Sequence, residues 1–72
     1  MNQYTAIFTK AEEGGWVAQC AEVPSAITEG DTLREARQNL KEAIRYMLKI
    51  EAKFALKQAP KNAKVVPIRV AV

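Results

Sequence analysis

The chain has no histidine, a single cysteine, three glycines and three prolines among its 72 residues. Without histidine, the commonest general base and the commonest transition-metal ligand are both missing. Cys20 has no imidazole to deprotonate it, so cysteine–histidine catalysis is excluded. One thiolate without an imidazole does not make a zinc site. A lone cysteine cannot close an internal disulfide, which fits a reducing compartment. No apolar run approaches the roughly 18 residues that a membrane span requires. The opening "MNQYTAIFTK" lacks both the basic start and the long apolar core of a secretory signal. A cytoplasmic protein is therefore expected, with no membrane partner, no metal and no cofactor.

What is present is the composition of a globular protein, 49% apolar and 26% charged. At this length one domain is expected, spanning 1–72. A chain so short buries only about 60% of the surface that it exposes when unfolded, so its core is small. Association with further copies is one usual remedy.

Local patterns give the element order. "QYTAIFTKA" alternates, with Tyr4, Ala6 and Phe8 on one side, which is the period of a strand. "EEGG" supplies a hairpin turn, because paired glycines accept positive φ. "WVAQC" follows as a second strand, with Trp16, Ala18 and Cys20 on one face and Cys20 as a small packed hydrophobe. Pro24 in "AEVPS" breaks it, since proline cannot donate to a ladder. "AITE" is a short third strand, ended by Gly30, whose expected role is a left-handed turn.

The helix start is explicit in "TEGDTLREARQNLKEAI". Thr32 and Glu35 have the T-x-x-E spacing of a capping box, in which each side chain takes a backbone N–H that the helix leaves free. Leu33, Ala36, Leu40, Ala43, Ile44, Met47, Ile50 and Phe54 then fall on one stripe, predicting a helix over 32–57. Pro60 and Asn62 stop it. "KVVPIRVAV" predicts a closing strand, held to an edge or a bulge by Pro67. The order β-β-β-α-β is that of a small α+β domain. Three strands are antiparallel, a fourth runs parallel to the first, and one long helix lies on one face. The expected spatial order is 3-2-1-4.

Charge divides the chain. Residues 1–33 hold one lysine against five acids and residues 34–72 hold ten Lys/Arg against three, so the halves carry −4 and +7. The predicted topology gathers Glu12, Glu13, Glu29 and Asp31 at the end of the sheet where the helix begins. They serve either as a solubilising cluster that complements the helix dipole or as a docking patch for a basic partner. On the helix, Arg37, Lys41, Arg45, Lys49, Lys53 and Lys57 recur every four residues, with Arg34 nearby. The five like-charge pairs cost about 1–2.5 kcal/mol at low salt. This row is either a solvated face or a surface for phosphate or an acidic partner; Arg34, Arg37, Lys41, Arg45 and Lys49 are its candidate contacts.

Two chemistries fit poorly. Two-metal phosphodiester cleavage needs carboxylates projecting from strand faces, and neither the first nor the last predicted strand carries one. Base stacking on a sheet needs aromatics among basic residues, whereas the strand aromatics Tyr4, Phe8 and Trp16 sit in a region with one lysine. Phe54 belongs to the helix stripe, and Tyr46 falls beside the basic row. No enzymatic activity is expected.

The segments "YTAIF", "GGWVAQC", "AEVPS", "EGDTLREA" and "KEAI" resemble those of the HicB family, antitoxins of HicA–HicB toxin–antitoxin pairs. The resemblance runs from Tyr4 to Leu48. It departs at the bend, where Ser25 stands in place of the usual glycine and a first proline is lost. It implies a partial ribonuclease H-like fold without that enzyme's acids, and a role in binding and neutralising a HicA-type mRNA-cleaving toxin. Many members carry a C-terminal DNA-binding domain, which this chain is not expected to have. Glu12, Glu13, Pro24, Glu29 and Asp31 are the expected toxin contacts. A homo-oligomer, dimer or tetramer, is expected to join through Ile50, Phe54, Val66 and Ile68. Two other readings stand beside this one: a nucleic-acid-binding module using the basic helix face, and an orphan oligomeric scaffold.

Overall fold

The structure is a computed structural model that describes residues 3–70. Strand β1 (Ala6–Lys10) and strand β2 (Trp16–Cys20) form an antiparallel hairpin with Ala6 opposite Cys20 and Lys10 opposite Trp16. The turn between them uses positive φ at Gly14 (100°) and Gly15 (81°), the conformation that the glycine pair was expected to supply. Strand β3 (Ile27–Gly30) pairs antiparallel with β2 on its other side, giving the sheet order β1-β2-β3.

Between β2 and β3 the chain turns at Pro24. Ala26 N–H donates to the Val23 carbonyl at 2.9 Å, and the Gln19 side-chain amide donates to the Pro24 carbonyl at 2.8 Å. Proline suits this bend because its fixed φ is already that of a turn.

Helix α1 (Leu33–Gln58) starts where the capping box placed it. Thr32 is the N-cap, and its hydroxyl accepts from Glu35 N–H at 3.1 Å. The return bond goes one residue further back than expected: Asp31 N–H, not that of Thr32, donates to Glu35 Oε1 at 2.8 Å. At the other end Ala59 caps the helix ahead of Pro60.

One face of the sheet packs on α1. Ala18 and Cys20 of β2 are buried against Ala36, Leu40 and Ile44 of α1, with Val23 and Ala26 from the β2–β3 bend. Phe8, Trp16, Ala43 and Met47 close around this core while staying partly exposed. Small side chains dominate it, so helix and sheet come close together. The opposite sheet face has no covering element among the described residues, and Ile7 and Ile27 are exposed on it.

Two expectations are corrected. The segment 64–70 has no regular secondary structure and joins no sheet, so the three strands have no fourth, parallel neighbour among the described residues; 71–72 lie outside them. Gly30 does not have a positive φ. Its glycine serves close approach, because a Cβ there would lie 2.8 Å from Ala36 Cα and 2.9 Å from the Glu35 carbonyl carbon.

The apolar helix stripe also outlasts the sheet. A helix of 26 residues is about 39 Å long, against about 17 Å for a five-residue strand. Leu40 is 2% exposed, but Phe54, on the same stripe, is 64% exposed. Burial requires a facing surface, and α1 runs past the one that it has.

Candidate functional site

The acidic end is assembled by backbone contacts. Ala11 N–H donates to the Gly15 carbonyl at 3.1 Å, which closes the hairpin. A Cβ on Gly15 would meet the Gly30 carbonyl oxygen at 2.8 Å, so the hairpin turn and the exit of β3 lie against one another with no room for a side chain. Asn39 of α1 fixes the third element, donating from Nδ2 to the Glu29 carbonyl at 2.9 Å. The hairpin turn, the end of β3 and the first turn of α1 are thereby held at one end of the domain.

They surround an open concavity of about 510 Å³ lined by Glu12, Glu13, Glu29, Asp31 and Glu35, with Trp16 at its wall. All four acids expected to cluster do so, and Glu35 joins them. Lys10, the lysine of the acidic half, turns to the Trp16 ring, its Nζ 5.6 Å from the centroid. Among the described residues no three acids, cysteines or histidines converge closely enough to hold a metal ion. The concavity presents the carboxylates of Glu12, Glu13, Glu29, Asp31 and Glu35, all exposed residues.

Pro24 is not part of this end. It follows β2 at the opposite end of the sheet, where Ser25 Oγ donates to Glu51 Oε2 of α1 at 3.4 Å. The expected toxin contacts therefore fall into two places, the four acids at one end of the sheet and the Pro24 bend at the other.

The basic residues Arg34, Arg37, Lys41, Arg45 and Lys49 are all exposed along α1. Three of them, Arg37, Lys41 and Arg45, rim a second groove of about 470 Å³ between α1 and the outer edge of β1. Its floor is apolar, formed by Leu40, Ile44 and Leu48 with Tyr4 and Ala6. Sequence reasoning did not anticipate this groove, since it expected a fourth strand to fill that edge. The expected oligomer contacts Ile50, Phe54, Val66 and Ile68 are all exposed.

A third feature was also missed. Glu22 accepts from Thr5 N–H at 2.6 Å and from the Thr5 hydroxyl at 2.7 Å, and Cys20 Sγ lies 3.5 Å from it. These bonds, the Thr5 backbone one foremost, hold the Glu22 carboxyl down at about 2. The only sequence signal would have been the hairpin register that brings residue 5 beside residue 21.

No helix among the described residues is long and apolar enough to cross a membrane. No family model matches the chain. It is similar to a UPF0150 protein of Synechocystis sp., 38% identical over 61 residues that cover 85% of each chain. It is likewise similar to a UPF0150 protein of Thermoplasma acidophilum, 36% identical over 66 residues, 92% of this chain and 96% of the relative. The chain belongs to the UPF0150 family.

Proposed function

We propose that this UPF0150 protein is a HicB-like antitoxin: a non-enzymatic, cytoplasmic domain that binds a HicA-type toxin and keeps it from mRNA. The single observation that carries the reading is the acidic concavity, where Glu12, Glu13, Glu29, Asp31 and Glu35 face one open space. A toxin that acts on RNA must present a basic surface to phosphates, and a fixed array of carboxylates competes for that surface. The HicB-like "EGDTLREA" segment supports the same reading, because it builds two of the three walls. A three-stranded antiparallel sheet with one long helix is compatible with the same reading. Contact is assigned to the acidic end alone; Pro24 lies at the far end of the sheet.

The test is binding of a purified HicA-type protein by calorimetry. Glu12→Lys with Glu13→Lys is expected to weaken binding at least about tenfold and to flatten its salt dependence. Both residues are exposed turn positions, so the variant keeps its fold. Binding that ignores the double charge reversal removes the electrostatic reading, and no binding at all leaves the chain as an oligomeric scaffold.

A second reading rests on the exposure of Arg34, Arg37, Lys41, Arg45 and Lys49, which suits them to phosphate contact. It requires RNA or DNA affinity that falls with salt by about 0.7–0.9 log units per log unit for each phosphate neutralised. Absence of binding at about 50 mM salt, where such contacts are strongest, ends it.

A further inference from the structure

The groove between α1 and β1 is apolar at its floor and cationic at its rim. Leu40, Ile44 and Leu48 form the floor with Tyr4 and Ala6, and Arg37, Lys41 and Arg45 stand along the rim. No carboxylate is among the described residues that line it. Glu42, on the same helix, is exposed outside it, and Glu22, beside Thr5, has both oxygens taken up by the Thr5 N–H and hydroxyl. The three rim charges are therefore not balanced from within the groove. From Arg37 to Leu48 the helix rises about 16 Å, the length of about five extended residues.

One wall of the groove is an edge strand. β1 has β2 on one side and no strand on the other among the described residues. Thr5 pairs with Ala21 across the hairpin, Ala21 N–H donating to the Thr5 carbonyl, and Ala11 pairs with Gly15. Bonded and non-bonded pairs alternate along an antiparallel ladder, so Ile7 and Thr9 bond to β2. The N–H and C=O groups of Ala6 and Phe8 therefore point away from β2. Such an edge is a template for another strand.

Charge decides which kind of strand fits. Beyond Glu51 the chain holds Lys53, Lys57, Lys61, Lys64 and Arg69 and no acid. That segment brings positive charge to a positive rim, and like charges set side by side oppose association. Nucleic acid answers the rim, but it leaves the apolar floor and the amide edge of β1 without partners. An acidic and apolar polypeptide strand answers all three. Its backbone bonds to Ala6 and Phe8, alternate side chains cover the floor, and its carboxylates meet Arg37, Lys41 and Arg45.

We propose that this groove docks an acidic, apolar strand of another protein, about five residues long, which extends the sheet at the β1 edge. The strand lies beside Ala6 and Phe8 and over Leu40, Ile44 and Leu48. The groove shares no lining residue with the acidic concavity, so the proposal does not depend on the antitoxin reading.

The probe is a labelled synthetic peptide in which valine alternates with threonine between paired glutamates. It is added to the full chain at about 50 mM salt and followed by fluorescence anisotropy and by NMR amide exchange. Saturable binding is expected, with the Ala6 and Phe8 amides exchanging at least about tenfold more slowly in the complex. The same peptide with lysines for glutamates is expected not to bind. Two adjacent prolines at its centre, one of which must stand where a ladder N–H is needed, are expected to weaken binding at least about tenfold. Lys41→Glu with Arg45→Glu, both exposed, and separately Leu48→Asp, at a position 38% exposed, are each expected to do the same while the Ala18 and Cys20 amides stay protected. No binding overturns the proposal, as when the chain by itself already holds the Ala6 and Phe8 amides slow. Binding that ignores the prolines or Leu48→Asp is charge attraction without a groove and overturns it too. So does a polyuridine oligonucleotide that binds more tightly than the peptide and is released by the double charge reversal, which assigns the rim to nucleic acid.

Discussion

Ala36 stands over Gly30 so closely that no side chain fits between them: a Cβ on Gly30 would lie 2.8 Å from Ala36 Cα. The atoms that it would meet belong to backbone, in the first turns of α1, and cannot swing aside. This contact holds the helix start against the end of β3, and with it the acidic concavity.

Gly30→Ala is accordingly expected to destabilise the domain by about 1–3 kcal/mol, the range for overpacking. Urea unfolding followed by circular dichroism measures it. A variant as stable as the parent would show that the helix start can lift off the sheet without cost.

The Thr5–Glu22 clamp gives a pH dependence with a definite sign. The Glu22 carboxyl is lowered from 4.5 to about 2 in the folded chain, so its contribution is complete above about 4.5. It is lost as the pH falls through about 2. The parent is expected to lose more stability over that window than Glu22→Gln, which has no charge to lose. Because Glu22 is fully exposed, the difference is small. The sharper check is the carboxyl titration of Glu22 by NMR, whose midpoint should lie near 2.

Thr32→Ala removes the acceptor of Glu35 N–H and is expected to cost about 1 kcal/mol, whereas Thr32→Ser is expected to cost little. Equal losses in the two variants would mean that the threonine methyl, and not its hydroxyl, matters at this position. Thermal unfolding of the pair decides it.

Leu40→Ala tests how much of the fold rests on one side chain. At 2% exposure it is expected to cost about 2–5 kcal/mol, enough to unfold much of a domain this small. Tyr46→Ala, six residues on along the helix and exposed, is expected to stay within about 0.5 kcal/mol of the parent. Similar losses at both sites would contradict the burial pattern.

Much of this architecture is legible in short windows of sequence. Paired glycines set the hairpin, the Thr32–Glu35 spacing sets the helix start, and period-two alternation puts Ala18 and Cys20 on the packed face. Each of these depends on neighbours within a few residues. The clustering of Glu12, Glu13, Glu29 and Asp31 follows from element order alone, since antiparallel strands and a returning helix bring those chain positions to one end. Features that depend on distance in space were not legible. The left-handed turn expected at Gly30 is a local explanation for a glycine whose reason is Ala36, six residues later and one layer above. The apolar stripe of α1 predicts burial through Phe54, but burial needs a sheet long enough to reach it.

By itself, then, the sequence determined three strands, one capped helix, their order, and a charge divided between the halves of the chain. It did so because torsional preference, capping and apolar period act over a few bonds. Tertiary structure alone decided that 64–70 joins no strand among the described residues, and that β1 keeps a free edge beside a groove. Those outcomes turn on comparing lengths, a helix of about 39 Å against strands of about 17 Å, and no window of residues contains both.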